Sequence, residues 1–480
     1  MFRFINKPFK YISKKCPILI QTPRSTVFGN CAEEMFYGLL RAKRENKRVL
    51  FLYPKFIFPK RRLFSKLTLP TVANQELLHV QSQYSIPNEN IYVWCFGWLL
   101  GAAFTIAWGF HLLWSQLRRK LQVIWPTLPG DGFFDPRYRI LTIGRSALWK
   151  PDGVDCFSWQ IVEKQNWEQQ FREYTPPKLN ENKHRSAEQL RVKMGIPLAD
   201  WFVCLHVRES GFHKDSYKNR NASIQNYIEG IKVITAAGGW VVRLGDSSMT
   251  PLPPIERVVD YPHTRYKSEL MDIYLISQCR FFVGTNSGPS EVSTLFKKPT
   301  ILVNLTAWTD RFPLPFNESD LATVKHLFSR SHNRFLSLEE ILEDPSGPEI
   351  FNYSSDECVL VENTAEEIRD VIEEFLKSPE NHEHSELQKT LIESRRRQIR
   401  RWFDQQDFSG GHVNLFRIAG IVYSAAGTLG QMYLEQNWFT DSLEKSQSTH
   451  STRLQTDRRR EPSSEEPAAQ QSRGHHLPGE

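Results

Sequence analysis

The sequence lacks the cysteine and glycine patterns that mark several common kinds of site. Its seven cysteines are odd in number and scattered, and they form no CxxC pair, so the usual spacing of zinc ligands is missing. The turn TPRSTVFGN after the first apolar strand contains one glycine and does not have the GxGxxG spacing of a nicotinamide site. These absences favour reduced thiols, as in the cytosol, and argue against a dinucleotide cofactor.

The chain also has little excess charge. Its 61 Lys+Arg against 54 Asp+Glu give a net charge of +7 over 480 residues, which is too small and too dispersed to predict a nucleic-acid partner. The basic and aromatic start MFRFINKPFKYISKKC has no apolar core of the kind that a secretory signal requires. It is equally consistent with a solvated lead-in to the first strand and with a segment that touches an anionic membrane surface.

One long uncharged run stands out among ordinary globular sequence. Residues 93–114, VWCFGWLLGAAFTIAWGFHLLW, carry no formal charge, and about 20 apolar residues are enough to cross a bilayer. Membrane insertion without crossing, a true span and a buried helix that covers a sheet are the three interpretations. We favour the first, because a span would put the first strand–helix–strand unit and the rest of the chain on opposite sides of the membrane.

The order of apolar segments predicts an α/β fold with two Rossmann-like lobes. PILIQ, AEEMFYGLLRAKRE and RVLFLY read as a βαβ unit, Pro176 and Pro177 break the chain, and strands alternate with helices from Trp201 onward. The helix TAEEIRDVIEEFLKS begins with a Thr-x-x-Glu capping box. The predicted regions are an acceptor lobe with the hydrophobic segment (1–175), a nucleotide-sugar lobe with a parallel sheet (176–380), helices that pack back on the lobes (381–444) and a disordered polar tail (445–480).

Polar residues follow three strands of the second predicted sheet. Ligands bind outside the carboxyl ends of parallel strands, so RESGFHKDSYKNRN after WFVCLHV, SSM after WVVRLGD and TNSGPSE after RFFVG are candidate binding segments. A solvated loop and an ordinary helix cap are the alternative interpretations of the first and third. The candidate donor-binding residues are His206, Arg208, Gly245, Asp246, Ser247, Thr285, Asn286, Ser287, Gly288, Ser290 and Glu291.

A phosphate-bearing ligand suits these residue types. The Arg208 guanidinium can hold two oxygens in a fixed fork, and the turn before Pro289 offers hydroxyls and free backbone N–H groups at a helix start. Glu291 would repel phosphate and is better suited to a ribose hydroxyl. A further positive rim is expected ahead of the KSELMD helix, from His263, Arg265 and Lys267.

The ordered series LHVRESGFHKD, WVVRLGDSSM, RFFVGTNSGPSEVSTLF and VENTAEEIRDVI resembles a family of predicted bacterial glycosyltransferases found among surface-polysaccharide genes. The resemblance is strong over about residues 200–375 and weak over the first lobe. It implies the GT-B architecture, two Rossmann-like lobes facing a cleft, with a nucleotide-sugar in the second lobe and usually no metal. The HVR stretch also resembles the His-x-Arg element of fucosyltransferase-like enzymes, which makes Arg208 the ligand of the donor diphosphate, with His206 beside it.

The resulting expectation is a metal-independent transferase of a hexosyl or deoxyhexosyl group. It would move the sugar from a nucleotide-sugar to a polysaccharide or lipid-linked acceptor at the cytoplasmic face of the inner membrane, with no cofactor besides the donor and no nucleic acid. Arg208 would stabilise the leaving diphosphate, and Glu209, His213, Asp215 or a residue within Gly29 to Glu34 would act as the general base. A GT-B-shaped sugar-nucleotide epimerase and a noncatalytic scaffold of polysaccharide assembly are the alternatives.

Overall fold

The structure is a computed structural model, and it describes most of the second half of the chain and parts of the first. The described residues are 17–51 except 22, 24 and 26, then 72–87, scattered positions between 91 and 125, and 172–209, 218–306, 317–343, 357–377, 383–405 and 427–438.

The first unit is the expected strand–helix–strand arrangement. Strand β1 (Ile18–Gln21) and strand β2 (Arg48–Phe51) pair in parallel, and helix α1 (Phe28–Arg44) connects them. The apolar positions of α1 recur along one side of the helix and are buried, whereas its last turn carries Arg41, Lys43 and Arg44 near the negative end of the helix dipole. A short helix α2 (Gln75–Leu78) follows, capped by the side chain of Asn74.

The second unit is built on a seven-stranded sheet whose paired neighbours all run parallel. Its central strands are buried on both faces, which is why segments such as FVCLH and TILVNL read as continuous apolar runs. In sheet order the strands are β12 (Thr428–Leu429), β8 (Leu321–Val324), β7 (Thr300–Leu305), β6 (Phe282–Gly284), β3 (Phe202–His206), β4 (Trp240–Arg243) and β5 (Val258–Asp260).

Helices connect these strands and cover both faces of the sheet. The Thr364 side chain accepts a hydrogen bond from the Glu367 N–H, and the Glu367 carboxylate accepts one from the Thr364 N–H, so the predicted capping box is confirmed. The longer helices are α3 (Glu181–Lys193), α4 (Ile228–Ala236), α5 (Glu269–Gln278), α6 (Gly288–Leu295), α7 (Leu338–Glu343), α8 (Ala365–Lys377), α9 (Glu386–Gln405) and α10 (Gln431–Asn437). Beside the main sheet, strands β10 (Arg334–Phe335), β9 (His326–Ser329) and β11 (Cys358–Val361) form an antiparallel sheet in that order.

Among the described residues, three apolar clusters hold these layers together. One cluster on one face of the main sheet joins Phe202 of β3 and Met271 of α5 to Phe36 of α1 and Val49 of β2. The first unit and the large sheet therefore share one continuous core. A second cluster packs α4 and α8 on the opposite face, and a third lies between β8, α7, α9 and α10.

Helices α1 and α6 touch at their amino ends. A Cβ atom added to Gly29 would lie 2.6 Å from the Cα atom of Gly288, so the two backbones meet without side chains between them. About two turns further along α1, the ring of Phe36 packs 5.1 Å from the ring of Tyr174, whose hydroxyl donates to the carbonyl of Leu295 at the end of α6. The helices therefore run side by side in the same direction.

The structure confirms the predicted α/β class with a large parallel sheet. The boundaries at 175, 380 and 444 stay predictions. Most of the hydrophobic segment 93–114 and the whole tail 445–480 lie outside the described residues. In the part of the chain that is described, no helix combines the length and the hydropathy needed to span a bilayer.

Candidate functional site

The ends of strands β3 and β6 form the centre of the candidate site. His206 is the register partner of Gly284, so the segments that follow the two strands leave the sheet side by side. The N–H of Thr285 donates to the carbonyl of His206 at 3.0 Å, and the N–H of Arg208 donates to the Thr285 hydroxyl at 3.2 Å. The structure thus brings together the two polar segments that the sequence placed at neighbouring strand ends.

The imidazole of His206 faces the start of α6. Its Nδ1 atom lies 2.9 Å from the hydroxyl oxygen of Ser287, and that hydroxyl is 3.2 Å from the carbonyl oxygen of Thr285. Burial and the positive charges of Arg208 and Arg243 lower the pKa of His206 to about 4. The ring is therefore neutral at pH 7 and carries one N–H donor and one acceptor nitrogen.

The amino end of α6 is closed by two serines. Ser287 is the N-cap residue, its N–H donates to the Ser290 hydroxyl at 3.3 Å, and that hydroxyl donates to the Ser287 carbonyl at 2.7 Å. Pro289 lies in the first turn, where its missing N–H costs no hydrogen bond. A Cβ atom at Gly288 would lie 3.2 Å from the Gly29 nitrogen, so this position leaves little room for a larger residue.

Asn286 is an unusual member of this turn. It is 0% exposed, and neither its Oδ1 nor its Nδ2 atom has a hydrogen-bond partner among the described residues. Native proteins rarely leave both ends of a buried amide unpaired, because each lost hydrogen bond costs free energy. The amide of Asn286 can donate through Nδ2 and accept through Oδ1, so it suits a ligand that has both a hydrogen-bond acceptor and a donor.

Arg208 is fixed by the loop that precedes α4. Its Nε atom donates to Asn221 Oδ1 at 3.3 Å, and its carbonyl accepts from the Ala222 N–H at 2.9 Å. The positive charges of Arg208, Arg243 and Lys267 lower the pKa of the neighbouring His206, and the carboxylate of Asp246 acts in the opposite direction. Of these cations, Arg243 pairs with Glu209 and Asp260, and Lys267 pairs with Asp272.

Glu209 takes part in a buried ion-pair cluster. Its Oε1 atom lies 2.6 Å from Nη2 of Arg243, a residue that is 0% exposed, and its Oε2 atom accepts from the N–H and the hydroxyl of Thr250 at 2.8 Å. Asp260 lies 3.3 Å from Nη1 of the same arginine and accepts from the Leu252 N–H at 2.9 Å. This cluster joins the ends of β3, β4 and β5.

The segment after β4 forms a tight turn at the same edge. Gly245 has a φ of 152°, and a Cβ atom there would lie 2.0 Å from the sulfur of Met249. Asp246 accepts a hydrogen bond from the Ser248 N–H at 2.8 Å, which closes an Asx turn, and Ser247 is exposed. The three residues lie at the predicted strand end, and their part in donor binding stays a prediction.

Other predicted residues lie at the edge of the candidate site or outside the described residues. Glu291 is 2% exposed, with its Cγ atom 3.2 Å from the position of a Cβ atom at Gly29, so it faces the start of α1. His263 Nε2 lies 3.1 Å from the carbonyl of Met249, and Lys267 pairs with Asp272. His213 and Asp215 lie outside the described residues.

Sequence reasoning missed two cations at this edge. Arg243 ends the strand WVVR, and Lys325 follows the strand LATV, where both are buried. An ionisable residue directly after an apolar strand is the signal that could have indicated them, because such a group is buried only when partners compensate its charge.

Comparison with known proteins gives only distant similarity. No family model matches the chain, and no curated protein matches it. Among solved structures, the glycosyl transferase family 9 protein from Veillonella parvula DSM 2008 aligns over 59% of this chain and 79% of its own, at 8% identity and a TM-score of 0.29.

The dodecameric iron-containing heptosyltransferase TibC in complex with ADP-D-beta-D-heptose aligns at 12% identity and a TM-score of 0.27. The structure of TibC from enterotoxigenic E. coli H10407 aligns at 12% identity and a TM-score of 0.28. Both alignments cover 61% of this chain, but only 58% and 59% of the TibC chains, so less than two thirds of TibC is matched. These similar structures are all glycosyltransferases.

Proposed function

We propose that this protein is a glycosyltransferase that takes its sugar from a nucleotide-sugar. The observation that carries the proposal is the meeting of Arg208, neutral His206 and the amino end of α6 at two adjacent strand ends. A diphosphate needs both a cation and neutral N–H or O–H donors, and this edge of the sheet offers both.

The proposed reaction breaks the bond between the sugar C1 and the diphosphate oxygen. An acceptor hydroxyl forms the new bond to C1, its proton passes to a general base, and the nucleoside diphosphate leaves with the electron pair. Arg208 and the donors at the start of α6 stabilise the charge that develops on the leaving group. His206, being neutral, adds a polar contact without a second buried charge.

Carboxylates that already accept hydrogen bonds from other residues are less suited to act as the general base. Both oxygens of Glu209 are bound to Arg243 and Thr250, so we assign Glu209 a supporting role. His213, Asp215 and the start of α1 at Gly29 to Glu34 remain the proposed sources of the base. Transfer of a hexosyl or deoxyhexosyl group without a metal ion, to a polysaccharide or lipid-linked acceptor, belongs to the same proposal.

We also propose that the protein works at the cytoplasmic face of the inner membrane. Large apolar side chains are exposed near the hydrophobic run, and exposed apolar side chains suit a membrane surface. The exposed examples in the described positions are Ile91, Leu99, Leu113, Leu117, Val123, Ile124 and Trp125.

Vesicle flotation tests the membrane proposal. Wild-type protein should float with anionic vesicles, and a variant with Val123, Ile124 and Trp125 changed to Ser should not. Val192→Ser with Leu198→Ser is the matched control, because both residues are exposed and apolar but lie on and just after α3. A wild type that stays in the aqueous fraction would refute the proposal.

A panel of nucleotide-sugars tests the catalytic proposal, by thermal shift and by release of nucleoside diphosphate. Arg208→Ala should lower kcat/KM about 100-fold, as loss of a preorganised charge contact does. Arg280→Ala is the control, because Arg280 is exposed, stacks on Trp201 and lies at the opposite edge of the sheet. Failure of wild type to bind any member of the panel would reject the proposal. Conversion of the donor without diphosphate release would indicate an epimerase.

A further inference from the structure

Lys325 is a buried lysine at the same edge of the sheet as Arg208. Lys325 directly follows strand β8 and is 4% exposed, and its backbone N–H donates to the carbonyl of Leu305 at 2.9 Å. Burial lowers the pKa of its ammonium group, and the nearby carboxylate of Glu362 acts in the opposite direction. A buried cation is costly and needs a partner to offset the loss of water.

The partner of Lys325 is the residue that also holds Arg208. The Lys325 ammonium donates to the backbone carbonyl of Asn221 at 2.6 Å, and Asn221 Oδ1 accepts from Arg208 Nε at 3.3 Å. The N–H of Ala222 donates in turn to the Arg208 carbonyl at 2.9 Å. Asn221 thus connects the two cations, one through its backbone and the other through its side chain.

The loop that contains Asn221 is held from a second side. Glu362 accepts hydrogen bonds from the Ser223 N–H at 2.8 Å and from Asn226 Nδ2 at 3.3 Å. One end of the loop is therefore fixed to an ammonium group and the other to a carboxylate. With the loop held in this way, the side chain of Asn221 has a defined position from which to orient the guanidinium.

We propose that Lys325 is a positioning residue that orients Arg208 for anion binding through Asn221. The inference rests on the proposed function in so far as Arg208 is taken as the ligand of the donor diphosphate. Two other roles of Lys325 predict different results. If Lys325 contacted phosphate directly, its loss would weaken anion binding even without Arg208. If its role were purely structural, its loss would lower stability without changing the affinity for the anion.

A double-mutant cycle separates these roles, with inorganic pyrophosphate as the probe in isothermal titration calorimetry. Lys325→Met should weaken binding about tenfold in the wild-type background, as expected when a charged hydrogen bond loses its orientation. In the Arg208→Ala background it should weaken binding no further. Equal losses in both backgrounds, or no loss in wild type, would overturn the proposal. Lys298→Met, a lysine at the opposite edge just before β7, is the matched control.

Two more variants keep the test decisive. If Lys325→Met does not fold, Asn221→Ala removes the acceptor of Arg208 Nε and should cause the same loss, and unchanged affinity would overturn the proposal. Lys325→Arg retains a cation that can donate to the Asn221 carbonyl and should restore binding to within about threefold. A protein that binds pyrophosphate but transfers no sugar refutes the proposed function and leaves this inference standing.

Discussion

The Nδ1 atom of His206 lies 2.9 Å from the hydroxyl oxygen of Ser287, and this contact joins the end of strand β3 to the first residue before helix α6. The contact lies among the positive charges of Arg208, Arg243 and Lys267. A second proton on the ring would add one more positive charge to a buried group. The histidine therefore remains neutral over the physiological pH range.

This neutral histidine should make stability depend on pH in a defined window. The pKa of His206 is lowered from 6.5 to about 4, so between these values the unfolded chain takes up a proton that the folded protein does not. Stability therefore decreases as the pH is lowered, by roughly 2 kcal/mol between pH 7 and pH 4.5. Urea unfolding of wild type and His206→Asn at both pH values measures the difference. An equal pH dependence in the two proteins would contradict the prediction.

His326, which pairs with Glu367, should show the opposite pH dependence. Burial would lower the pKa of His326, but the charge of Glu367 and the 2.9 Å hydrogen bond outweigh it and raise that pKa. Burial would likewise raise the pKa of Glu367, but His326 and the Thr364 N–H lower it. The histidine contribution is complete below about pH 6.5 and is lost as pH rises through the raised pKa. The Glu367 contribution is complete above about pH 4.5 and is lost as pH falls through the lowered pKa.

His326→Gln should therefore destabilise the protein more at pH 5.5 than at pH 8.5. Loss of one partner of a buried pair costs about 3 kcal/mol where both are charged. Denaturant unfolding at the two pH values provides the measurement. His184→Gln is the control, because His184 belongs to a partly exposed pair with Glu188 on α3. A cost that does not change with pH would mean that the pair is not ionised.

Glu209→Gln distinguishes a supporting carboxylate from a catalytic one. Removal of this charge leaves Arg243 buried with Asp260 as its remaining carboxylate, and the expected loss is about 3 kcal/mol of the free energy of unfolding. Glu256→Gln, at an exposed position before β5, should change stability by less than about 0.5 kcal/mol. Unchanged stability together with loss of the acidic limb of the pH–kcat profile would instead identify Glu209 as the general base.

Gly29→Ala tests the contact between α1 and α6. The new methyl group would lie 2.6 Å from the Gly288 backbone, which no side-chain rotation can relieve, and we expect a loss of about 2 kcal/mol. Gly230→Ala is the control in α4, because its methyl group would meet only the flexible end of Ile372. There the better helix propensity of alanine, about 1 kcal/mol, offsets the crowding. Thermal unfolding of both variants gives the comparison.

Asn286→Leu tests whether the unpaired amide serves a ligand. Leucine has a similar volume and removes two buried polar atoms without partners, so the free protein should become about 1 kcal/mol more stable while nucleotide-sugar binding weakens. Asn363→Leu is the contrasting control, because the amide of Asn363 bonds to Asn304, Thr323 and Val324 and its loss should be destabilising. A destabilised Asn286→Leu would show that the amide supports the fold.

Local patterns were sufficient to predict strands β3, β4, β6 and β7 of the seven-stranded sheet, but not β5, β8 or β12. LHVR and RFFVGTNSG are apolar runs followed at once by polar turns, and such runs in alternation with helices indicate a parallel sheet whose strand ends converge. The positions of Arg208, Thr285 and Ser287 followed from that rule alone. The antiparallel sheet of β9 to β11 was not predicted, because its strands are short and carry no comparable periodicity.

Contacts between distant segments were beyond the reach of sequence reasoning. Glu209 was a candidate base because it lies in a loop rich in ionisable groups, and nothing in that loop indicates Arg243 or Thr250 as its partners. Nothing in the local sequence indicates that Lys325 contacts Asn221, or that Gly29 and Gly288 meet at the starts of their helices. These pairs depend on the order of strands in the sheet, which propensities do not specify.

The contact between Gly29 and Gly288 has a consequence for synthesis of the chain. The two residues are separated by roughly 260 positions, and the ribosome adds about 5–20 residues per second, so α1 waits roughly 13–50 s for α6 to be made. Throughout that time Met35, Phe36 and Leu39 lack the part of their core that α5 and α6 supply. The packing of α1 is therefore complete only after more than half of the chain has been synthesised.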